Sequence, residues 1–263
     1  MTHRRHIVLG LAGAAVARSA VAADAFEGDP FKSHQWPEVR RETVGPRART
    51  RFDPRVKVEG PAFAEDPMNV PITVTAAALA DVEQIVVVVD RNPIRKVLEY
   101  FPTAALPAVS FRFKLEQASP VRALARTRDG TWHVGGTWVD SAGGGCTVAG
   151  ASRADGSWQR TLGQVSGRLF DAPQSTAAPG VAARLRLRVM HPMDTGLVAG
   201  IPAFHLKRLV VRDDAGRELL RMNVFEPVSE NPVFSFDFPG RPAGSLGVDG
   251  VDNNGNRIAS RLE

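Results

Sequence analysis

VSFRFKLE, residues 109–116, alternates without exception: Val109, Phe111, Phe113 and Leu115 fall on one side, and Ser110, Arg112, Lys114 and Glu116 on the other. A period of two belongs to a strand with one face buried and the other in water. The same signal recurs on both sides of it. Upstream, VKVEG (56–60) and VPITVTA (70–76) alternate, and IVVVVD (85–90) is a continuous β-branched run suited to a strand covered on both faces. Downstream, VRALART (121–127) and TWHVGGTWV (131–139) are joined by Asp129-Gly130, a hairpin turn pair. Strands at this spacing, with no long helical pattern between them, predict an antiparallel sandwich. The polar stretch 26–50, rich in Arg, Pro and Glu, reads as a helical or irregular lead-in.

The pattern breaks after Val139 and resumes later. Residues 140–157 are mostly small, SWQRTLGQVSGRLF (157–170) has enough apolar character to dock as a short strand, and DAPQSTAAPG (171–180) has linker composition. RLRLRVM (184–190) then alternates, with Leu185, Leu187 and Val189 inward. FHLKRLVVRD (204–213) and RELLRMNVF (217–225) flank Asp214-Ala215-Gly216 as a hairpin, and NPVFSFDF (231–238) puts Phe234, Phe236 and Phe238 on one face. DNNGNRI (252–258) supplies a last turn. The fold class expected is all-β: two immunoglobulin-like antiparallel β-sandwich domains, residues 24–150 and 179–263, joined by a Gly/Ala/Ser/Pro-containing linker at 151–178.

Residues 1–23 read as an export signal. Arg4 and Arg5 precede a mild apolar core, Ile7 to Ala17, and Ala20-Val21-Ala22 forms a small-residue cleavage pattern. The adjacent arginines and Arg18 resemble a twin-arginine signal, which implies a periplasmic location. No cysteine near the cleavage site offers a lipid anchor, and no internal run is long enough to span a bilayer. Removal of the signal takes three arginines from the 33 basic residues and leaves them close to balance with the 28 acidic ones. With no basic block interleaved with aromatics, nucleic-acid binding is excluded.

The chain's single cysteine, Cys146, follows Gly143, Gly144 and Gly145 in DSAGGGCTVAG (140–150). One cysteine cannot form an internal disulfide or a closed zinc site. Glycines supply no side chains to pack round a thiol and lose the most entropy on ordering. An accessible thiol on a mobile segment is therefore expected. The same mobility argues against an enzyme, because a nucleophile needs a base and an oxyanion hole on rigid backbone. His34, His133, His191 and His205 show no metal-ligand spacing, and no metal or other cofactor is expected. His133, on the preceding strand, is the one histidine with a chance of touching the thiol.

The first half resembles SoxY through VPITVTA, IVVVVDRNP, FRFKLEQASPVRALARTRDGTW and the closing AGGGC. The second half resembles SoxZ through RVMHPMDTGLVAGIPAFHLKRLVV, GRELLRMNVFEPVSENPVFSFDF and LGVDGVDNNG. In the SoxYZ sulfur-carrier family these are separate immunoglobulin-like subunits of a periplasmic heterodimer. The SoxY cysteine, on a mobile terminal glycine arm, holds a sulfur substrate covalently while partner enzymes process it. The resemblance thus implies a shuttle and not a catalyst, with Cys146 as the covalent attachment point and Gly143, Gly144 and Gly145 as its swinging arm. It also implies that the two halves pack together. Expected partners are a periplasmic c-type cytochrome or sulfur-oxidising enzymes. This chain departs from the family pattern in being fused, in continuing for 117 residues beyond Cys146 and in reading GGGCTVAG around the thiol. An internal arm enters a partner's site as a hairpin, with a larger cross-section than a free tail. Fused carriers resemble a subgroup associated with quinoprotein (PQQ-dependent) dehydrogenase systems, so the alternative expectation is an accessory or binding module for such a system, with no covalent cargo.

Overall fold

The computed structural model describes residues 24–171 and 180–263; the export-signal reading of 1–23 lies outside them. A helix, α1 (Trp36–Val44), opens the described chain. Nine strands follow: β1 (Thr50–Phe52), β2 (Lys57–Glu59), β3 (Phe63–Ala64), β4 (Val70–Thr75), β5 (Val82–Val89), β6 (Lys96–Phe101), β7 (Ala108–Phe113), β8 (Ser119–Thr127) and β9 (Trp132–Ser141). Two single-turn helices, α2 (Ala151–Ala154) and α3 (Trp158–Thr161), lead to β10 (Val165–Asp171). The chain then forms β11 (Ala183–Val189), β12 (Leu206–Arg212), β13 (Glu218–Val224), β14 (Val233–Phe238), β15 (Leu246–Asp252) and β16 (Arg257–Leu262).

These strands make two layers, and each half of the chain contributes to both. One sheet runs β1-β9-β8-β5-β6-β13-β12-β15-β16, with β3 beside β9; the other runs β10-β11-β14-β7-β4-β2. The all-β sandwich is as expected, and so are the hairpins. Gly130, Gly216 and Gly255 take positive φ at the three turns read from sequence. Two seams weld the halves. β6 pairs antiparallel with β13, setting Tyr100 opposite Met222, and β7 pairs with β14, setting Val109 opposite Phe236. Tyr100 stacks on Phe236 with ring centroids 5.7 Å apart, and Asn223 donates to Glu99 at 2.8 Å. Consequently Val109, Phe111 and Phe113 share one continuous buried core with Leu185, Leu187, Phe234 and Phe236.

The stretch read as a linker is structured over its described part. All seven residues of β10 pair with β11, from Val165↔Val189 to Asp171↔Ala183, so the second half's sheet begins before residue 179. Residues 165–170 fall in the SWQRTLGQVSGRLF stretch read as able to dock as a short strand, and the partner β11 shows which sheet it joins.

The run in β5 is covered on both faces, as its β-branched continuity predicts. Ile85, Val87 and Val89 face the main core, whereas Val86 and Val88 meet Trp36 and Val39 of α1. The lead-in is fixed there by a wholly buried ion cluster. The Arg122 guanidinium donates to Asp90 from Nε and Nη2, both at 2.8 Å, and to Asp29 from Nη1 and Nη2 at 2.6 and 2.8 Å. Its Cζ lies 4.5 Å from the Trp36 ring centroid. Arg122→Ala would strand two buried carboxylates, so urea titration should show a loss of about 3–5 kcal/mol. A loss below about 1 kcal/mol, the size of an exposed ion pair, would contradict this assignment.

Candidate functional site

The alternation over residues 109–116 fails at one residue. β7 stops at Phe113, and Lys114, read as facing water, is 2% exposed. Its Nζ donates to the carbonyl of Met193 in the second half. Its own carbonyl accepts from Asn92 Nδ2 at 2.8 Å, and the Cys146 Sγ–H points at the same oxygen from 3.5 Å. Burial pushes the ammonium's pKa down, while the negative charges of Asp194 and Glu230, and of Cys146 once ionised, oppose that shift.

Cys146 is not displayed on a free arm. Its relative exposure is 0%, and residues 142–150 fold down against the turn after β7. The three glycines are used for geometry. Gly143 and Gly144 take φ of 95° and 86°, the left-handed region that favours glycine. Their N–H groups donate to Ser141 Oγ and to the Glu116 carbonyl at 3.0 and 3.1 Å. Gly145 donates to the Leu115 carbonyl at 3.2 Å and lies so close to neighbouring backbone that a Cβ would stand 2.2 Å from the Pro67 oxygen. The absence of side chains, read as mobility, instead lets main chains approach and bury the thiol between them.

Glu116 is the principal latch. Its carboxylate accepts from the Cys146 N–H at 2.9 Å and from Thr147 Oγ1 at 3.1 Å. From the other half, Thr195 Oγ1 donates to the Cys146 carbonyl at 2.7 Å, and Glu230 accepts from the Ser152 N–H at 2.7 Å. Arg153 pairs with the buried Asp194 and lies over the Trp158 ring, with Cζ 4.2 Å from its centroid. A net hydrogen bond is worth about 0.5–1.5 kcal/mol, and one to a charged group about 1.5–3 kcal/mol. The docked loop is thus held by several kcal/mol but does not belong to the hydrophobic core. Burial, with the Glu116 charge assisting, raises the Cys146 pKa to about 12; the Lys114 charge offsets part of this. The docked thiol is protonated and unreactive.

The histidines stand apart from the sulfur. His133 Nδ1 lies 2.8 Å from Asp53 Oδ2. His34 tilts against the Phe26 ring at 5.0 Å. His191 is 1% exposed, its pKa lowered by burial to about 4, and its neutral Nδ1 accepts the Met193 N–H at 3.1 Å. It therefore shapes the turn that receives Lys114 and Cys146. His205 Nδ1 approaches Glu226 at 3.7 Å. Lys114, Glu116, Thr195 and Glu230 were missed as site residues, although all four lie inside the stretches that carry the family resemblance: FRFKLE, HPMDTG and VSENP.

Residues 40–146 match the family model "Sulfur oxidation protein SoxY", and residues 172–263 match "Sulphur oxidation protein SoxZ". The chain belongs to the SoxYZ sulfur-carrier family. It is a SoxY domain and a SoxZ domain in one polypeptide, and both are carrier domains and not catalysts. The SoxY match ends on Cys146, and Thr195, which bonds the Cys146 carbonyl, and Glu230, which bonds the Ser152 N–H, belong to the SoxZ domain. Among solved structures, the sulfur carrier protein SoxY from Chlorobium limicola f thiosulfatophilum is similar at 17% identity and a TM-score of 0.36, covering 40% of this chain and 90% of that one. No curated protein matches the chain.

The latch predicts how the thiol reacts. Glu116→Ala removes two hydrogen bonds and the nearby negative charge, so native-state alkylation by a maleimide at pH 8 should accelerate at least tenfold; an unchanged rate would assign the docking to other contacts. The pH profile provides a second check. With a docked pKa raised to about 12 against an open value of about 8.5, docking is at full strength below pH 8.5 and weakens as pH climbs from there toward 12. While the loop stays docked, the alkylation rate should keep rising with pH above about 8.5, because the open form gains population as its thiolate forms; a break near 8.5 would show that the thiol is not docked in solution.

Proposed function

We propose that the protein carries a sulfur intermediate covalently on Cys146 and presents it to partner oxidoreductases when residues 142–150 undock. The observation that supports this most is that the SoxY match closes on the chain's only thiol, with SoxZ-domain groups seated directly on its loop. The docked state protects the thiol, and the opened state restores an ordinary thiolate. Held at both ends, a loop of this length lifts the sulfur on the order of 15 Å. Joining the thiolate to a sulfur anion such as thiosulfate forms one S–S bond and releases two electrons. A c-type cytochrome partner would accept them, because the chain has no second cysteine to take part. Release of the cargo likewise requires an external hydrolase or thiol. The signal-like first 23 residues and the redox chemistry fit a periplasmic protein exported by the twin-arginine route.

A second reading draws on the burial of Cys146: an accessory module that docks on a quinoprotein dehydrogenase system, with the thiol incidental. Intact mass spectrometry of the protein from cells oxidising reduced sulfur separates the two. Carriage predicts a sulfur-containing adduct on Cys146, lost in Cys146→Ser together with growth on that substrate. A bare thiol under those conditions, with a fully functional Cys146→Ser strain, would leave the accessory role.

A further inference from the structure

The outer face of the six-stranded sheet carries a groove of about 540 Å³ beside the strap that follows the Cys146 loop. Arg186 and Arg188 on β11 and Arg112 on β7 line it, and all three are exposed. Among the described residues none of these guanidinium groups meets a carboxylate or makes a side-chain hydrogen bond. Their neighbour Arg184, on the same strand and face, is neutralised by Asp237 at 2.6 Å, so the sheet supplies a counter-charge in one place and omits it in the next. The omission is costly. Arg186 stands directly opposite Arg168 of β10, and like charges in that position repel.

The strap forms another wall. Ser152 lines the groove at 7% exposure, and its hydroxyl is buried with no hydrogen-bond partner. A buried hydroxyl without a partner has lost its hydration with nothing in exchange. Asn231 also lines the groove; its Oδ1 accepts from the His191 N–H at 3.1 Å, which leaves its amide N–H₂ for another acceptor. Two carboxylates are present as well, but each already accepts a backbone N–H: Glu230 from Ser152 at 2.7 Å and Asp155 from Ser157 at 2.8 Å. Three unpaired guanidinium groups, a hydroxyl and an amide are therefore left as donors around a concavity, with acids at its strap-side wall.

We propose that this groove binds a small, doubly charged oxoanion of the sulfate class. Guanidinium forks match the oxygen spacing of such an anion, and a dianion would relieve the repulsion between the β10 and β11 arginines. The acids along the strap disfavour a long acidic peptide, which would have to pass them. Two arginine strands separated by β14 stand about 10 Å apart, a gap that two extended side chains can close on one tetrahedral ion. The site does not depend on covalent chemistry at Cys146.

The test is titration of the full-length protein with sodium sulfate against sodium chloride at equal ionic strength, followed by calorimetry and amide chemical shifts. Saturable sulfate binding is expected, weakened at least tenfold in Arg186→Ala/Arg188→Ala and also in Arg112→Ala, and unchanged in Cys146→Ser. Thermal unfolding confirms that the variants remain folded; these positions are exposed, so midpoints should hold. Chloride reproducing the sulfate response, or the double variant binding as well as wild type, would overturn the assignment. A hexaglutamate peptide that binds where sulfate does not would also overturn it and make the face a protein-docking surface. Because Cys146→Ser keeps the groove, its result separates failure of this site from failure of covalent carriage.

Discussion

The contact from the Lys114 ammonium to the Met193 carbonyl is the constraint on which the functional end of the molecule is built. A nearly buried cation must have partners, and the loss of hydration is tolerable only because the second half supplies the Met193 carbonyl and the nearby charges of Asp194 and Glu230. Satisfying Lys114 brings the HPMDTG turn of the SoxZ domain onto the end of β7. That turn in turn places Thr195 over the Cys146 carbonyl. The Lys114 carbonyl, fixed by Asn92, then receives the thiol. One side chain thus ties the seam between domains to the state of the sulfur.

Much of the architecture was legible from residue pattern because it depends on local rules. Alternation located the strands, turn glycines located the hairpins, and the β-branched run of β5 correctly implied cover on both faces. What could not be read was set by partners distant in sequence. The seams join residues more than a hundred positions apart, and no periodicity reports which strand edge will find which. The apolar positions of β10 suggested a docking strand but not which sheet it would join, because its partner, β11, lies later in the chain. Lys114 continues a perfect alternation, but its strand has ended, and the atom that buries it comes from a loop 79 residues later.

The glycine run shows the limit of composition more sharply. Absence of a side chain has two opposite consequences: an unconstrained backbone moves freely, and a constrained one packs more closely than any other residue permits. Gly145 takes the second course, and sequence carries no mark that distinguishes them. The resemblance pointed to the Cys146 sulfur, whereas the physical state of that atom had to come from coordinates. Burial and carriage are compatible because the loop is held mainly by polar contacts, which can be exchanged for water or for a partner's groups at modest cost. Apolar packing would have been far harder to reverse.

The paired seams also bear on assembly. In a two-chain carrier, such edges meet by diffusion, and the complex dissociates once its concentration falls below the affinity of its halves. On one polypeptide the same encounter is a folding step with a fixed effective concentration set by the connecting chain. Dilution then has no hold on the pairing, equal stoichiometry is guaranteed by translation, and neither half is ever obliged to exist with a bare, aggregation-prone sheet edge.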